Sequence, residues 1–184
     1  METRIVYLEP GKITIARQQL PGLKPHQILV QSHNEPDWNK AFNEFPVLSQ
    51  PPECKLFLPK LNAGGSYRFR LLANPTVKKT IDSNGEQKKA RLGLLKEEAQ
   101  QDWLQRKLEA AGSKVLASHI LPRGFQHSRK NPAKDETHQI HFAVLFEGIL
   151  QVDDVSLLQS ALETGLGPAK GFGFGLLSLA PVRG

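Results

Sequence analysis

From Tyr67 to Ala73 apolar and polar side chains alternate, with Tyr67, Phe69 and Leu71 on one side and Arg68, Arg70 and Leu72 on the other, which predicts a half-buried strand. From Lys96 to Ala111 the sequence is rich in helix formers, pairs Asp102 with Arg106 at i,i+4 and meets Gly112 at its end, so a helix is predicted there. A strand from Lys114 to Leu121 follows, then a basic loop, then a long strand from Gln139 to Val152 with Ile140, Phe142, Val144 and Phe146 on one face. Asp153 is expected to cap a helix running to about Thr164, with Val155, Leu158 and Leu162 as its apolar stripe and Gly165 as its stop. A last strand is predicted from Phe174 to Ala180.

The order strand, helix, strand, strand, helix, strand is the ferredoxin-like arrangement, used by RNA-binding domains and by unrelated enzymes. The stretch before it has a different texture. Strands are predicted at Arg4 to Glu9, Gln27 to Gln31 and Lys55 to Leu61, with a short helical or irregular piece from Asp37 to Phe45; prolines at 46, 51, 52 and 59 break regularity. A boundary falls near Asn62 to Ser66, giving units at 1–62 and 66–184.

Between the second helix and the last strand lies a loop, residues 165–175, with glycines at 165, 167, 171, 173 and 175 around Lys170. Such a loop suits an anion, because glycine lets backbone N–H groups come close to phosphate and Lys170 adds charge there. It matches neither a Walker A loop nor the Gly-x-Gly-x-x-Gly fingerprint. A flexible turn would explain one or two of these glycines.

The charge distribution agrees with a polyanionic partner. Net charge is +6 and the isoelectric point about 9.5. The cations gather in two polar stretches expected to be connections: Lys78, Lys79, Lys88, Lys89, Arg91 and Lys96, around a turn at Asn84 and Gly85, and Arg123, Arg129, Lys130 and Lys134. A solvated surface explains any single one of them as well.

The mean hydropathy of −0.37 and the lack of an apolar run near the roughly 20 residues of a membrane span point to a soluble protein. The start, Met1-Glu-Thr-Arg, reads as neither signal nor transit peptide, and Cys54 is the single cysteine, so a cytoplasmic location and no internal disulfide are expected.

Arg68 to Pro75, Leu94 to Gln100, Trp103 to Lys107, Phe146 to Gly148 and the run from Gly165 to Leu179 together resemble CasE, the family of CRISPR RNA endoribonucleases of the type I-E Cascade complex. The likeness covers Tyr67 to Pro181 strongly, and Arg4 to Gln31 and Glu35 to Trp38 more loosely. It implies an α+β protein of tandem ferredoxin-like (RRM-like) domains. Such a protein binds the stem-loop of CRISPR repeat RNA, cuts precursor CRISPR RNA on the 3′ side of the hairpin without metal or other cofactor, and stays bound as a Cascade subunit.

In that family a histidine near the start of the first helix, usually helped by a tyrosine, performs the cleavage. Met1 to Pro10 stands where the family has its second strand, so the first domain is expected to be incomplete, with its central strand missing and the catalytic residue unassigned. Histidine is suited to metal-free cleavage because its pKa lies near neutrality. His26 and His33 do not sit at a matching helix start and read as surface residues. His127, His138 and His141 flank the second basic stretch, where RNA contact and a solvated loop explain them equally, and His138 with His141 makes a poor metal pair on a strand.

The RNA contacts are expected from Lys88, Lys89, Arg91, Arg129, Lys130, Lys170, Gly171 and Gly173. Two alternatives stay open: a non-catalytic hairpin-binding subunit of Cascade, and a ferredoxin-like protein-interaction domain without RNA.

Overall fold

A computed structural model describes residues 6–7, 13–16, 29–32, 37, 55–56, 59–83, 86–128 and 139–182. In chain order the strands are β1 (Val6–Tyr7), β2 (Ile13–Ala16), β3 (Leu29–Ser32), β4 (Lys55–Leu56), β5 (Ser66–Ala73), β6 (Thr76–Ser83) and β7 (Glu86–Gly93). Helix α1 (Glu97–Glu109) follows, then β8 (Ser113–Ser128), β9 (Gln139–Val152), helix α2 (Val155–Thr164), a 3-10 turn (Lys170–Phe172) and β10 (Leu177–Pro181).

Strands β10, β5, β9 and β8 form one sheet in that order, and all its neighbours run antiparallel. With α1 between β5 and β8 and α2 between β9 and β10, this is the ferredoxin-like order anticipated above. The alternation on β5 is realised: Tyr67, Phe69, Leu71 and Ala73 are buried toward the helices. They meet Val144, Phe146, Leu150 and Val152 of β9 in one core. Helix α1 adds Trp103, Leu104 and Leu108 to it, spaced for one helical face. Trp103 stacks on Phe146 with ring centroids 5.8 Å apart. Glu97 and Glu98 in the first turn of α1, with Arg106 and Lys107 in the last, match the helix dipole.

Several boundaries move, each for a local reason. The cap of α2 is Asp154 and not Asp153, because only the Asp154 carboxylate reaches the third helical N–H, that of Leu157, at 3.0 Å. Strand β8 was expected to stop at Leu121, yet it continues to Ser128; the register shifts between Pro122 and Gly124, and this bulge absorbs the proline. The last strand begins at Leu177 instead of Phe174, since Gly175 at φ 89° turns the backbone and leaves Phe174 and Leu176 buried in the loop. Arg106 donates from Nε to the Asp102 carbonyl at 3.3 Å rather than to its carboxylate. On β9, Val144 and Phe146 are fully buried, but Ile140 is 56% exposed, because the strand runs on past the end of the core.

The first sheet has the order β2-β3-β1-β4. The central place expected to be missing is occupied by β1, parallel to both β3 and β4, while β2 takes the place beside β3 and pairs with it antiparallel. Parallel neighbours around β1 depart from the all-antiparallel ferredoxin-like pattern of the second sheet. The sequence pattern could not show this, because strands of two residues carry no periodicity. Strand β2 itself was not anticipated, and the piece expected from Asp37 to Phe45 lies outside the described residues save Asp37. Among the described residues no helix is long and apolar enough to cross a membrane.

Candidate nucleic-acid interface

The first basic stretch is a two-stranded ribbon, not a connection. Strands β6 and β7 pair from Thr76 with Gly93 to Ser83 with Glu86. Since side chains alternate, Lys78 lies across from Arg91 and Thr80 across from Lys89 on one face, while Lys79 and Lys88 project to the other. Lys88, Lys89 and Arg91 are exposed. Lys78 and Arg91, like charges directly opposite each other, are relieved by an anion between them, while the ribbon's acidic residues, Asp82 and Glu86, lie at its turn end.

At the base of the ribbon opens a cleft of about 560 Å³, lined by Lys78 and Arg91 of the ribbon, Lys107 of α1 and Lys170 of the glycine loop, with Ser160 and Thr164 of α2 adding hydroxyls. Among the described residues no acidic side chain lines it. Four cations from four sequence regions thus surround one concavity, with backbone and hydroxyl groups between them. That combination accepts phosphate oxygens. Lys107 was not anticipated as a site residue; its place in the last turn of α1 serves the helix dipole equally well, and only the fold aims it at Lys170.

The glycine loop is held from within. Gly165 stops α2 at φ 71° and donates to Ala161 O at 2.8 Å; Leu166 N–H donates to Gly175 O at 2.8 Å; Gly175 N–H donates to Leu72 O of β5 at 2.8 Å. Gly167, at φ 82°, lies under the indole of Trp103, where a Cβ would come within 2.8 Å of Cζ2. The left-handed turn at Ala169 (φ 63°) then lifts the Lys170–Phe172 tip, closed by Phe172 N–H to Ala169 O at 2.9 Å and Gly173 N–H to Lys170 O at 3.1 Å. Most of the glycines therefore serve the loop's own path, and the tip is the part that can meet an anion. Gly173 sits at φ 84°, as the sequence suggested, but Gly171 does not have a positive φ and a Cβ there meets nothing within 4 Å.

His141 is not in a solvated loop. It is half-buried on β9, its Nδ1 lies 3.1 Å from Asn74 Nδ2, and its ring packs at 4.6 Å from Phe172 and 5.7 Å from Phe174, so it supports the underside of the loop. Burial pushes its pKa below the ordinary 6.5. His127 and Arg123 are exposed on β8, again strand and not loop. Arg129, Lys130, Lys134, His26, His33, His138 and Cys54 lie outside the described residues. Among the described residues no three His, Cys, Asp or Glu side chains come together in a way that could hold a metal ion.

The face of the second sheet away from its helices offers no stacking platform on its central strands. Its central strands present Arg68, Arg70 and Leu72 against Ile149, Glu147 and Leu145, with Arg70 paired to Glu147 at 3.1 Å and no aromatic ring among them. The RRM mode, in which sheet aromatics stack on bases, is thus not available to these strands.

The sequence model of the family described as "CRISPR associated protein" matches residues 15–181. The chain is 36% identical over 184 residues to the CRISPR-associated endoribonuclease Cse3 of Thermus thermophilus, covering 95% of this chain and 83% of the relative. It is 40% identical over 131 residues to the CRISPR system Cascade subunit CasE of Escherichia coli, covering 67% of this chain and 62% of that one. The structure of CRISPR endoribonuclease Cse3 bound to a 19-nucleotide RNA superposes with a TM-score of 0.69 at 34% identity, over 92% of this chain and 80% of that chain.

Two measurements check this geometry. Gly173→Val forces a β-branched residue to φ 84° in a buried position and is expected to destabilise the fold by about 1–3 kcal/mol, whereas Gly171→Val, exposed and unobstructed, stays within about 0.5 kcal/mol of the parent in urea unfolding. Equal midpoints for the two variants would contradict the loop path. For His141, the folded pKa lies below the unfolded value of 6.5, so the stability present above 6.5 is lost as pH falls through the folded value and is constant below it. His141→Gln should therefore gain on the parent as pH falls from about 7.5 to about 5; a gap that does not change over this range would contradict the buried ring.

Proposed function

The chain belongs to the CRISPR associated protein family, and from that premise we propose that it binds the stem-loop of CRISPR repeat RNA on the ribbon and cleft. On this reading it processes precursor CRISPR RNA by metal-independent cleavage on the 3′ side of the hairpin and stays on the product as a Cascade subunit. The observation that carries the reading is the convergence of Lys78, Arg91, Lys107 and Lys170 on one cleft with no acidic residue among its described lining. A-form RNA has a major groove too deep and narrow for side chains to read base edges, so a duplex is held through phosphates and shape. A stiff ribbon with exposed Lys88, Lys89 and Arg91 serves that purpose, with the unit at 66–184 carrying most of the affinity. Arg129, Lys130, Lys170, Gly171 and Gly173 complete the proposed contacts. Working on RNA, with one cysteine in the chain, the protein functions in the reducing cytoplasm.

A specific observation favours a second reading, a hairpin-binding subunit that does not cut. Among the described residues no histidine lines the cleft: His119 and His127 are exposed on β8, and His141 is engaged with Asn74 beneath the loop. A general acid or base contributes about 10²–10⁴ in rate, so its absence from the site would leave binding without turnover.

Reversing charge at Lys88, Lys89 and Arg91 is expected to weaken stem-loop binding and to reduce the slope of log K against log salt by about 0.7–0.9 for each phosphate that the variant no longer neutralises. An unchanged slope would remove the ribbon from the interface. In a single-turnover assay with EDTA on labelled repeat RNA, cleavage at wild-type histidines that disappears on replacing His26 or His33 supports the endoribonuclease reading. Tight binding with no product supports the second.

A further inference from the structure

At the far end of β8 and β9, away from the core, an apolar platform faces solvent. Phe125 is 59% exposed and Ile140 beside it 56% exposed. The register sets Phe125 across from Phe142 and His127 across from Ile140, so the four side chains share one face. Phe142 meets Phe125 at 5.0 Å between centroids and 59° between planes, a tilted side support that leaves Phe125 largely exposed. The platform adjoins the ribbon, since a Cβ on Gly93 would stand 3.5 Å from Cβ of Phe142. Its surroundings lean positive: the exposed Arg123 precedes Phe125 by two residues, and β8 has no acidic residue along its whole length.

Resting on the stem-loop reading above, we propose that Phe125 is a stacking site for an unpaired nucleobase next to the base of the RNA hairpin. A ring braced at its side by a tilted neighbour, largely exposed and close to Arg123, matches what a base and its phosphates require, and every base has a π-face to offer. A stable protein interface buries about 800 Å² per partner, far more than one ring and an isoleucine provide. Because the platform continues from the base of the ribbon, it meets the strand that leaves the duplex. It thus extends duplex binding to the flanking single strand, and it does so with little base preference.

The test uses the full chain with a blunt stem-loop, the same stem-loop with unpaired nucleotides on both sides, and a version whose flanking nucleotides are abasic. Phe125→Ala and Phe125→Leu are expected to weaken binding of the flanked RNA about tenfold and to leave the blunt RNA unaffected, while Phe125→Trp binds as the parent does. The parent protein should in turn bind the abasic RNA no better than Phe125→Ala binds the flanked one. The leucine variant preserves apolar bulk, so a loss shared with alanine reports stacking, and matching thermal midpoints establish folding. Equal losses on blunt and flanked RNA, or none on either, would overturn the proposal. So would unaltered RNA binding accompanied by failure to join other Cascade subunits, which would assign the platform to a protein. The two readings fail separately: a parent chain that does not bind the blunt stem-loop removes the stem-loop reading, and single-stranded RNA alone then still decides whether Phe125 stacks a base.

Discussion

The hydrogen bond from the Gly175 N–H to the Leu72 carbonyl, 2.8 Å long, holds the end of the glycine loop to a central strand, and the cleft depends on it. Leu166 N–H to Gly175 O closes the loop upon itself, and Trp103 covers Gly167 so closely that no side chain fits between them. Trp103 in turn stacks on Phe146 in the core. The loop is thus fastened to the best-packed part of the molecule, and Lys170 inherits that fixed position. Preorganisation of this kind matters for an anion site, because a cation already in place loses little conformational freedom on binding.

Electrostatic and steric arguments then agree on which surface suits a polyanion. The cleft gathers positive charge with no acidic side chain in its described lining, whereas the sheet face away from the helices pairs Arg70 with Glu147 and carries no ring on its central strands. Charge that is neutralised within the protein contributes little to counterion release, and charge left clustered contributes most. The duplex is expected at the cleft and ribbon for this reason.

How much of this was legible in the sequence depended on the length of the signal. The ferredoxin-like order of the second unit followed from its longer strands and helices, and β9 was read at both ends as it stands, from Gln139 to Val152. The cations of the ribbon were identified but assigned to a connection, because exposed strands in a two-stranded ribbon lack the apolar alternation that marks a sheet packed on a core. Lys107 escaped notice because its role depends on where α1 lies relative to Lys170, a relation between residues far apart in sequence. His141 was read by its basic neighbours, while its burial is set by Asn74, Phe172 and Phe174, which no local pattern connects.

The two halves of the chain meet close to the same loop. Gln31 of β3 is buried and donates from Nε2 to the Leu162 carbonyl at 2.7 Å, satisfying one of the acceptors that the end of α2 would otherwise leave unpaired. Strand β2 lies beside the 3-10 turn that carries Lys170. The loop is therefore bounded by the second sheet on one side and by the first sheet on another, and its tip can shift only if one of these neighbours gives way. The placement of the two units and the geometry of the loop that carries Lys170 are linked through this short path.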